Sequence, residues 1–165
     1  QNGIRKESQM ACPIKIMTAV DLSDYSAAAV RYGVWLSMKL DVELLLINVI
    51  NHRDIEMVER AMIGYDAFFL LFYLEEQVQD RVTKMQGLLT AASHDTVDCR
   101  YIVKNGIPYW ELMEAIKEEK PKLLLLSTKG RSNIADVLVG STAWRIYRRS
   151  PIPMLTIPAG FDKLP

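Results

Sequence analysis

Cysteine and histidine are scarce in this sequence, which has two residues of each among 165. Cys12 and Cys99 form no C-x-x-C pair and no Cys/His cluster. They are too few for a disulfide framework, so we interpret both as reduced core thiols. His52 and His94 have neither metal-ligand spacing nor a catalytic partner in the sequence. We therefore predict no metal site and treat both as loop or surface histidines.

Net charge is absent as well, because 20 basic residues balance 20 acidic residues. A chain without a positive field does not concentrate nucleic acid or anionic lipid, so we expect neither as a main partner. Arg145, Arg148 and Arg149 are crowded into one segment. The favourable interaction of cations with a helix carboxyl end explains them without a nucleic-acid patch.

Long apolar runs are also missing. The longest, AFFLLFYL at residues 67–74, is far shorter than the roughly 20 residues that a membrane-spanning helix needs. We expect its aromatic stretch from Phe68 to Tyr73 to form core or to cover the sheet, with a dimer or partner surface as the alternative. Residues 1–13 are polar and unlike a signal peptide. The sequence therefore predicts a cytoplasmic protein with no membrane contact.

The length and composition suit one compact core, since half of the 165 residues are apolar. We assign residues 1–13 to an extension or tag remnant, residues 14–158 to a single domain, and residues 159–165 to a tail.

Motifs of dedicated catalysts do not occur in the sequence. It has no G-x-S-x-G, no H-E-x-x-H and no obvious pair of carboxylates, and it lacks both the Walker A and the G-x-G-x-x-G signatures. We predict no catalytic residue. Slow hydrolysis of a bound nucleotide is the most that this sequence supports, because a positioned phosphate with a divalent ion needs little more from the protein.

What the sequence does contain is an alternation of apolar strands and amphipathic helices. Strand-like runs occupy residues 14–20, 42–50, 97–103, 122–127 and 152–157. Helical spacing covers residues 27–38, 67–92, 108–117 and 142–149, with Ser23 or Asp24 as a candidate cap of the first helix. Residues 51–65 have no clean period, and we treat them as a mobile or partly helical connection.

This alternation predicts a three-layer, doubly wound α/β fold with a mainly parallel five-stranded sheet. Prolines around the last strand confine it to an edge of that sheet. Open parallel sheets bind ligands outside the carboxyl ends of their strands, where the chain reverses direction across the sheet. Asp21, residues 49–51 and residues 127–130 all lie at these ends.

The most informative stretch joins the fourth strand to the last helix. A polar loop with Gly130 is followed by nine residues, by Gly140, and by the hydroxyls of Ser141 and Thr142 at the start of a helix. Glycines let the backbone approach a ligand closely, and the first amides of a helix carry partial positive charge. We therefore predict a phosphate site at the end of the fourth strand.

The spacing of this stretch resembles the universal stress protein family, whose nucleotide-binding members carry G-x-x-G, nine residues, and G-[ST]. The same frame here runs from Ser127 through Gly130 to Gly140 and Ser141, so one motif glycine is a serine. The likeness extends over nearly the whole chain. It includes AVDLS at 19–23, LLLINVI at 44–50, G-x-P at 106–108 and SPIPMLTI at 150–157.

The resemblance implies a strand order of 3-2-1-4-5, as in the adenine-nucleotide alpha-hydrolase-like folds, and a homodimer formed through the C-terminal edge strand. It implies a bound ATP or AMP, with Mg²⁺ as a candidate companion. It puts Asp21 near the ribose and Ala19 and Val49 along the adenine. The phosphate-side positions that it implies are Leu126, Ser127, Gly130, Arg131, Gly140, Ser141 and Thr142.

Several of these positions have alternative explanations. Asp21 could serve only the start of a helix, and Ser141 could be only an N-cap. Lys129 and Arg131 favour a polyphosphate, although a solvated loop explains them equally well. The extra atoms of Ser127 could either crowd a ligand or supply one more donor.

Two hypotheses follow for the function. In the first, the chain is a nucleotide-binding switch that acts as a dimer in the stress response. In the second, it is a nucleotide-free dimerisation or interaction module of the same fold. An ATPase is a third and weaker possibility.

Overall fold

The computed structural model describes residues 14–61, 67–130, 140–158, 160, 161, 163 and 164. Five strands form one sheet: β1 (Lys15–Ala19), β2 (Glu43–Asn51), β3 (Cys99–Gly106), β4 (Leu123–Ser127) and β5 (Met154–Ile157). Their order is β3-β2-β1-β4-β5, and all four pairings are parallel. The predicted doubly wound α/β fold and its strand order are confirmed.

Five helices are present among the described residues: α1 (Ser26–Leu40), α2 (His52–Ala61), α3 (Ala67–Ala92), α4 (Pro108–Glu119) and α5 (Ser141–Tyr147). Helices α1 and α3 cover one face of the sheet, and α4 and α5 cover the other. No helix within the described ranges is both long and apolar enough to cross a membrane.

The core is divided between the two faces by the alternation of each strand. In β2, Leu44 and Leu46 pack toward α1 and α3, while Leu45 and Ile47 pack toward α4 and α5. All four side chains are fully buried. Burial of each contributes about 1.5–3 kcal/mol relative to exposure. A strand covered on both sides explains why this segment is almost continuously apolar.

The segment after β2 is more regular than the sequence predicts. Residues 52–61 form helix α2, whose Ile55 is buried. The side-chain Oδ1 of Asn51 accepts a hydrogen bond from the backbone N–H of Arg53 at 3.2 Å. This is the bond that a helix N-cap residue makes. The expected partly helical connection is therefore a helix as far as Ala61, and residues 62–66 lie outside the described part of the chain.

The ends of other elements also differ from the prediction. Strand β3 starts at Cys99 and extends to Gly106, because its pairing with β2 continues up to Asn51. The N-cap residue of α1 is Tyr25, and its side chain makes no capping hydrogen bond. Neither Ser23 nor Asp24 therefore caps this helix. Helix α4 extends to Glu119, and α5 ends at Tyr147.

Cys99 agrees with its interpretation as a reduced thiol. It is free, half-buried and packed beside the core under α1 and α3. Burial raises the pKa of its thiol to about 11. A thiol with so high a pKa is protonated at neutral pH and is a poor nucleophile. Cys12 lies outside the described residues.

An ion-pair cluster joins the amino-terminal end of the sheet to the end of α4. Arg100 donates two hydrogen bonds to the Glu119 carboxylate, at 2.7 and 2.6 Å, and a third to Glu43 at 2.9 Å. Lys15 donates a further bond to Glu119 at 3.0 Å. These donors, Arg100 above all, lower the pKa of Glu119 to about 2.

Candidate functional site

A cavity of about 480 Å³ opens at the carboxyl ends of β1, β2 and β4. Since β2 lies on one side of β1 and β4 on the other, the order of the strands reverses at this point. Open α/β sheets place their ligands at such a reversal. Nine of the ten residues predicted for a nucleotide line this cavity: Ala19, Asp21, Val49, Leu126, Ser127, Gly130, Gly140, Ser141 and Thr142. The tenth, Arg131, lies outside the described residues. Contact of any of them with a ligand stays a prediction.

The floor of the cavity is apolar. Ala19 pairs in register with Ile47 of β2 on one side and with Leu126 of β4 on the other, so these three side chains form one row across the sheet. Val49 continues the row along β2, two residues further on. Pro108 and Leu112 of α4 add an apolar wall next to the β2 end of this floor.

The opposite end of the cavity, between β4 and α5, is polar. Lys129, Gly130, Ser141 and Thr142 line it. The backbone N–H of Gly140 donates to the carbonyl of Thr128 at 2.9 Å, which joins the start of α5 to the loop after β4. Gly140 is itself the N-cap residue of α5 and Ser141 is the first residue inside the helix. The alternative that Ser141 is only an N-cap is therefore wrong.

The Asp21 carboxylate is fixed by two serines. Its Oδ1 accepts hydrogen bonds from the backbone N–H of Ser23 at 3.1 Å, from the Ser23 hydroxyl at 2.6 Å and from the Ser26 hydroxyl at 2.9 Å. Leu22, which lies between Asp21 and Ser23, has a φ of 61°, a left-handed conformation that is costly for a large side chain. Ser26 begins α1, so Asp21 does serve the start of that helix, and the same bonds hold its carboxylate at the cavity.

The two glycines of the site differ in what the surrounding structure demands. A Cβ at Gly130 would overlap Oδ2 of Asp21, so a side chain there would displace the carboxylate. Gly140 has a φ of −58° and a ψ of 152°, which any residue can adopt. A Cβ there would lie 3.8 Å from the Thr128 carbonyl oxygen, an ordinary contact. Within the described residues, a side chain would therefore clash at 130 but not at 140.

Ser127 turns its hydroxyl away from the cavity. Successive strand residues point to opposite faces, and its neighbour Leu126 lies on the cavity face. The residue in register with Ser127 on β5 is Ile157, which packs on Ala28 and Ala29 of α1. The Ser127 Oγ is buried and has no hydrogen-bond partner among the described residues. This orientation favours neither crowding of a ligand nor direct donation to it.

One charged residue of the cavity escaped the sequence analysis. Arg53, in the first turn of α2, also lines the cavity. It was missed because residues 51–65 have no clean period. The signal that could have found it is the pair formed by Asn51 at the strand end and Asp54 in the next turn, which is typical of a helix start.

Acidic groups are sparse around the cavity. Asp21 is the single carboxylate among the described residues that line it. Across the described ranges, no group of three or more His, Cys, Asp or Glu residues could hold a metal ion.

Known proteins are similar to this chain in sequence and in architecture. A sequence model of the universal stress protein family matches residues 14–158. Universal stress protein YxiE of Bacillus subtilis is 24% identical over 144 residues, which cover 87% of this chain and 97% of that protein.

Solved structures with the same fold include MJ0577 of Methanocaldococcus jannaschii, with a TM-score of 0.74, 20% identity, and coverage of 92% of this chain and 100% of that one. A universal stress protein in complex with cAMP has a TM-score of 0.58 and 18% identity, with coverage of 91% and 100%. Because the family match spans most of the sequence, the chain belongs to the universal stress protein family.

Proposed function

We propose that the chain binds an adenine nucleotide, ATP or AMP, in this cavity and acts as a switch in the stress response. The observation that carries the proposal is the division of the cavity into two ends. Its β2 end is floored by Val49 and walled by Pro108 and Leu112, whereas its β4 end offers glycine backbone, hydroxyls and Lys129. A molecule with a flat apolar ring at one end and oxyanions at the other matches both.

The carboxylate between these ends suits a sugar. Asp21 follows β1, which lies between β2 and β4 in the sheet. Ser23 and Ser26 already hold its orientation, so little freedom is lost when it accepts hydrogen bonds from ribose hydroxyls. The universal stress protein solved with cAMP supports this assignment, because cAMP contains an adenine, a ribose and a phosphate.

Two features of the cavity are compatible with the proposal. The hydroxyl of Ser127 points toward α1, so the space next to the backbone of β4 is not filled by it. With Asp21 as the single described carboxylate of the cavity, an Mg²⁺ ion there would be held mainly by phosphate oxygens of the ligand.

The test begins with protein purified without added nucleotide. Denaturing it and separating the supernatant by chromatography shows whether ATP, ADP or AMP was carried along, and the emptied protein is then titrated with ATP and Mg²⁺ and with AMP. We expect bound nucleotide or saturable binding. A protein that is empty and fails to bind would overturn the proposal.

Gly140→Val supplies the matched variant. A branched side chain at Gly140 fits the described backbone but would fill the space beside the polar end of the cavity. We expect nucleotide binding to be lost while the circular dichroism spectrum is kept. Gly87→Ala is the control, since Gly87 lies in α3 and a Cβ there meets nothing within 4 Å. Identical titrations of wild type and Gly140→Val would contradict the site.

We also propose that the chain forms a homodimer through β5. This strand is the edge of the sheet. The carbonyls of Pro153, just before β5, and of Ile157 accept hydrogen bonds from the N–H groups of Leu124 and Thr128. Because alternate residues of a parallel strand face opposite sides, the backbone groups of Met154 and Thr156 point outward. Within the described part of the chain this edge pairs with no further strand, and an edge of that kind is ready to pair with a second copy.

A further inference from the structure

We propose that Arg53 is a ligand-binding residue whose guanidinium group covers the base of the bound nucleotide. The inference rests on the proposed function, because it assumes a nucleotide in the cavity. It adds a residue that the family motif does not contain and gives that residue a role in holding the base.

Arg53 is held at the base end of the cavity by the backbone around it. It lies two residues beyond the end of β2 and four residues after Val49. The Asn51 side chain accepts the N–H of Arg53 at 3.2 Å and fixes the first turn of α2. Arg53 therefore lines the cavity from the helix that directly follows β2, the strand that supplies Val49 to the apolar floor.

The guanidinium of Arg53 is not engaged elsewhere in the described structure. Some other arginines have clear partners: Arg31 donates to the Phe161 carbonyl at 3.1 Å, and the guanidinium carbon of Arg145 lies 4.6 Å from the centre of the Tyr109 ring. Among the described residues, by contrast, the Arg53 side chain has no ion pair and no hydrogen bond. Its charge is available to a ligand in the cavity.

The position of Arg53 favours the base over the phosphates. The phosphate-side residues Lys129 and Gly130 follow β4, and β1 lies between β4 and β2. The β4 end and the β2 end of the cavity are therefore two strand spacings apart, or about 10 Å. A planar guanidinium stacks on aromatic faces and attracts them through the charge of the cation. Arg53 and Lys129 are the two cations among the described lining residues, and Arg53 is the one that follows β2, on the side where a purine would pack on Val49 and Pro108.

The experiment compares Arg53→Gln with wild type for three ligands: adenosine, AMP and ATP. A guanidinium on the base contacts a part that all three share, so we expect the dissociation constant to rise by the same factor for each, about 3- to 10-fold. Arg60→Gln is the matched control, because Arg60 lies in the last turn of the same helix and does not line the cavity. Its affinities should equal those of wild type.

Each other outcome has a distinct meaning. A loss that grows from adenosine to AMP to ATP, and that weakens at high salt, would place Arg53 on the phosphates and overturn the inference. Unchanged affinities in Arg53→Gln would overturn it as well. Failure of the wild-type protein to bind any of the three ligands would overturn the proposed function itself, and the role of Arg53 with it.

Discussion

The backbone of Gly130 lies directly against the Asp21 carboxylate, so that a Cβ at Gly130 would overlap Asp21 Oδ2. The same carboxylate is held from its other oxygen by Ser23 and Ser26. The loop after β4 and the turn after β1 are thus fitted to each other across the cavity. Glycine at 130 therefore serves this contact, in addition to any role in binding a ligand.

Gly130→Ala should therefore lower the stability of the protein without ligand. The added methyl must displace the carboxylate from its serine donors, and overpacking combined with lost hydrogen bonds costs about 1–3 kcal/mol in the free energy of unfolding. Urea denaturation measures this change. Gly87→Ala in α3 is the comparison, expected to raise the unfolding free energy by about 0.5–1 kcal/mol because alanine is the better helix former. Equal stability of Gly130→Ala and wild type would contradict the contact.

Replacement of Ser127 should leave nucleotide affinity unchanged, because its hydroxyl points toward α1. Ser127→Ala removes a buried oxygen that has no partner in the described structure, so the unfolding free energy should stay constant or rise. Ser127→Gly should lower it by about 0.5–1 kcal/mol, since glycine weakens a strand. Tighter nucleotide binding in Ser127→Gly would mean that the serine crowds the ligand, and weaker binding in Ser127→Ala would mean that it donates to it.

Glu119 should contribute to stability in a way that depends on pH. Its carboxylate has a pKa of about 2 in the folded protein, against an ordinary value of 4.5. A carboxylate whose pKa is lower in the folded protein stabilises the fold at pH values above its ordinary pKa. This contribution to stability is lost as the pH falls from 4.5 toward 2. The expected result is that Glu119→Gln destabilises the protein at pH 7 and much less at low pH, as measured by urea denaturation at both.

The control for this prediction is Glu114→Gln. Glu114 makes an exposed ion pair with Lys117 in the same helix, and pairs of this kind contribute little. It should change stability only slightly at either pH. A Glu119→Gln defect of the same size at neutral and at acid pH would show that the side chain acts through packing instead of charge.

The proposed dimer can be tested at Thr156 with little damage to the monomer. The backbone N–H of Thr156 points away from β4 and its side chain is exposed, so Thr156→Pro removes an outward donor and keeps the ladder to β4. Light scattering should show a shift from dimer to monomer, with an unchanged circular dichroism spectrum. Leu155→Pro is the contrasting variant and should disrupt the pairing of β5 with β4. The backbone of Leu155 faces β4, and its side chain packs on the core. A mass unchanged by Thr156→Pro would exclude pairing through this edge.

The parts of the structure that the sequence predicted well depend on local patterns. Apolar runs such as the one through Leu45 identify buried strands, and in a doubly wound sheet the residues that follow those strands must meet at one edge. Asp21 and Gly140 could be assigned to the same cavity for that reason, although 119 positions separate them.

The parts that were missed depend on register and on capping. The direction of the Ser127 hydroxyl follows from pairing with Ile157, which no local pattern reveals. Helix α2 begins through a side-chain bond from Asn51, and its ten residues are charged with few apolar side chains, so Arg53 could not be placed in the cavity. Leu71 and Phe72 of α3 are exposed although both are apolar, so residue type alone did not predict their exposure.

The ion-pair cluster around Glu119 and the cavity lie at opposite ends of the same strands. Lys15 and Ala19 are the two ends of β1, and at about 3.3 Å per residue the strand holds them about 13 Å apart. Mutations at sites more than about 7–10 Å apart that share no partner usually have additive effects on stability. Variants at the ion-pair end of the sheet should therefore combine with variants at the cavity end with nearly additive changes in the free energy of unfolding, so each end can be altered without refitting the other.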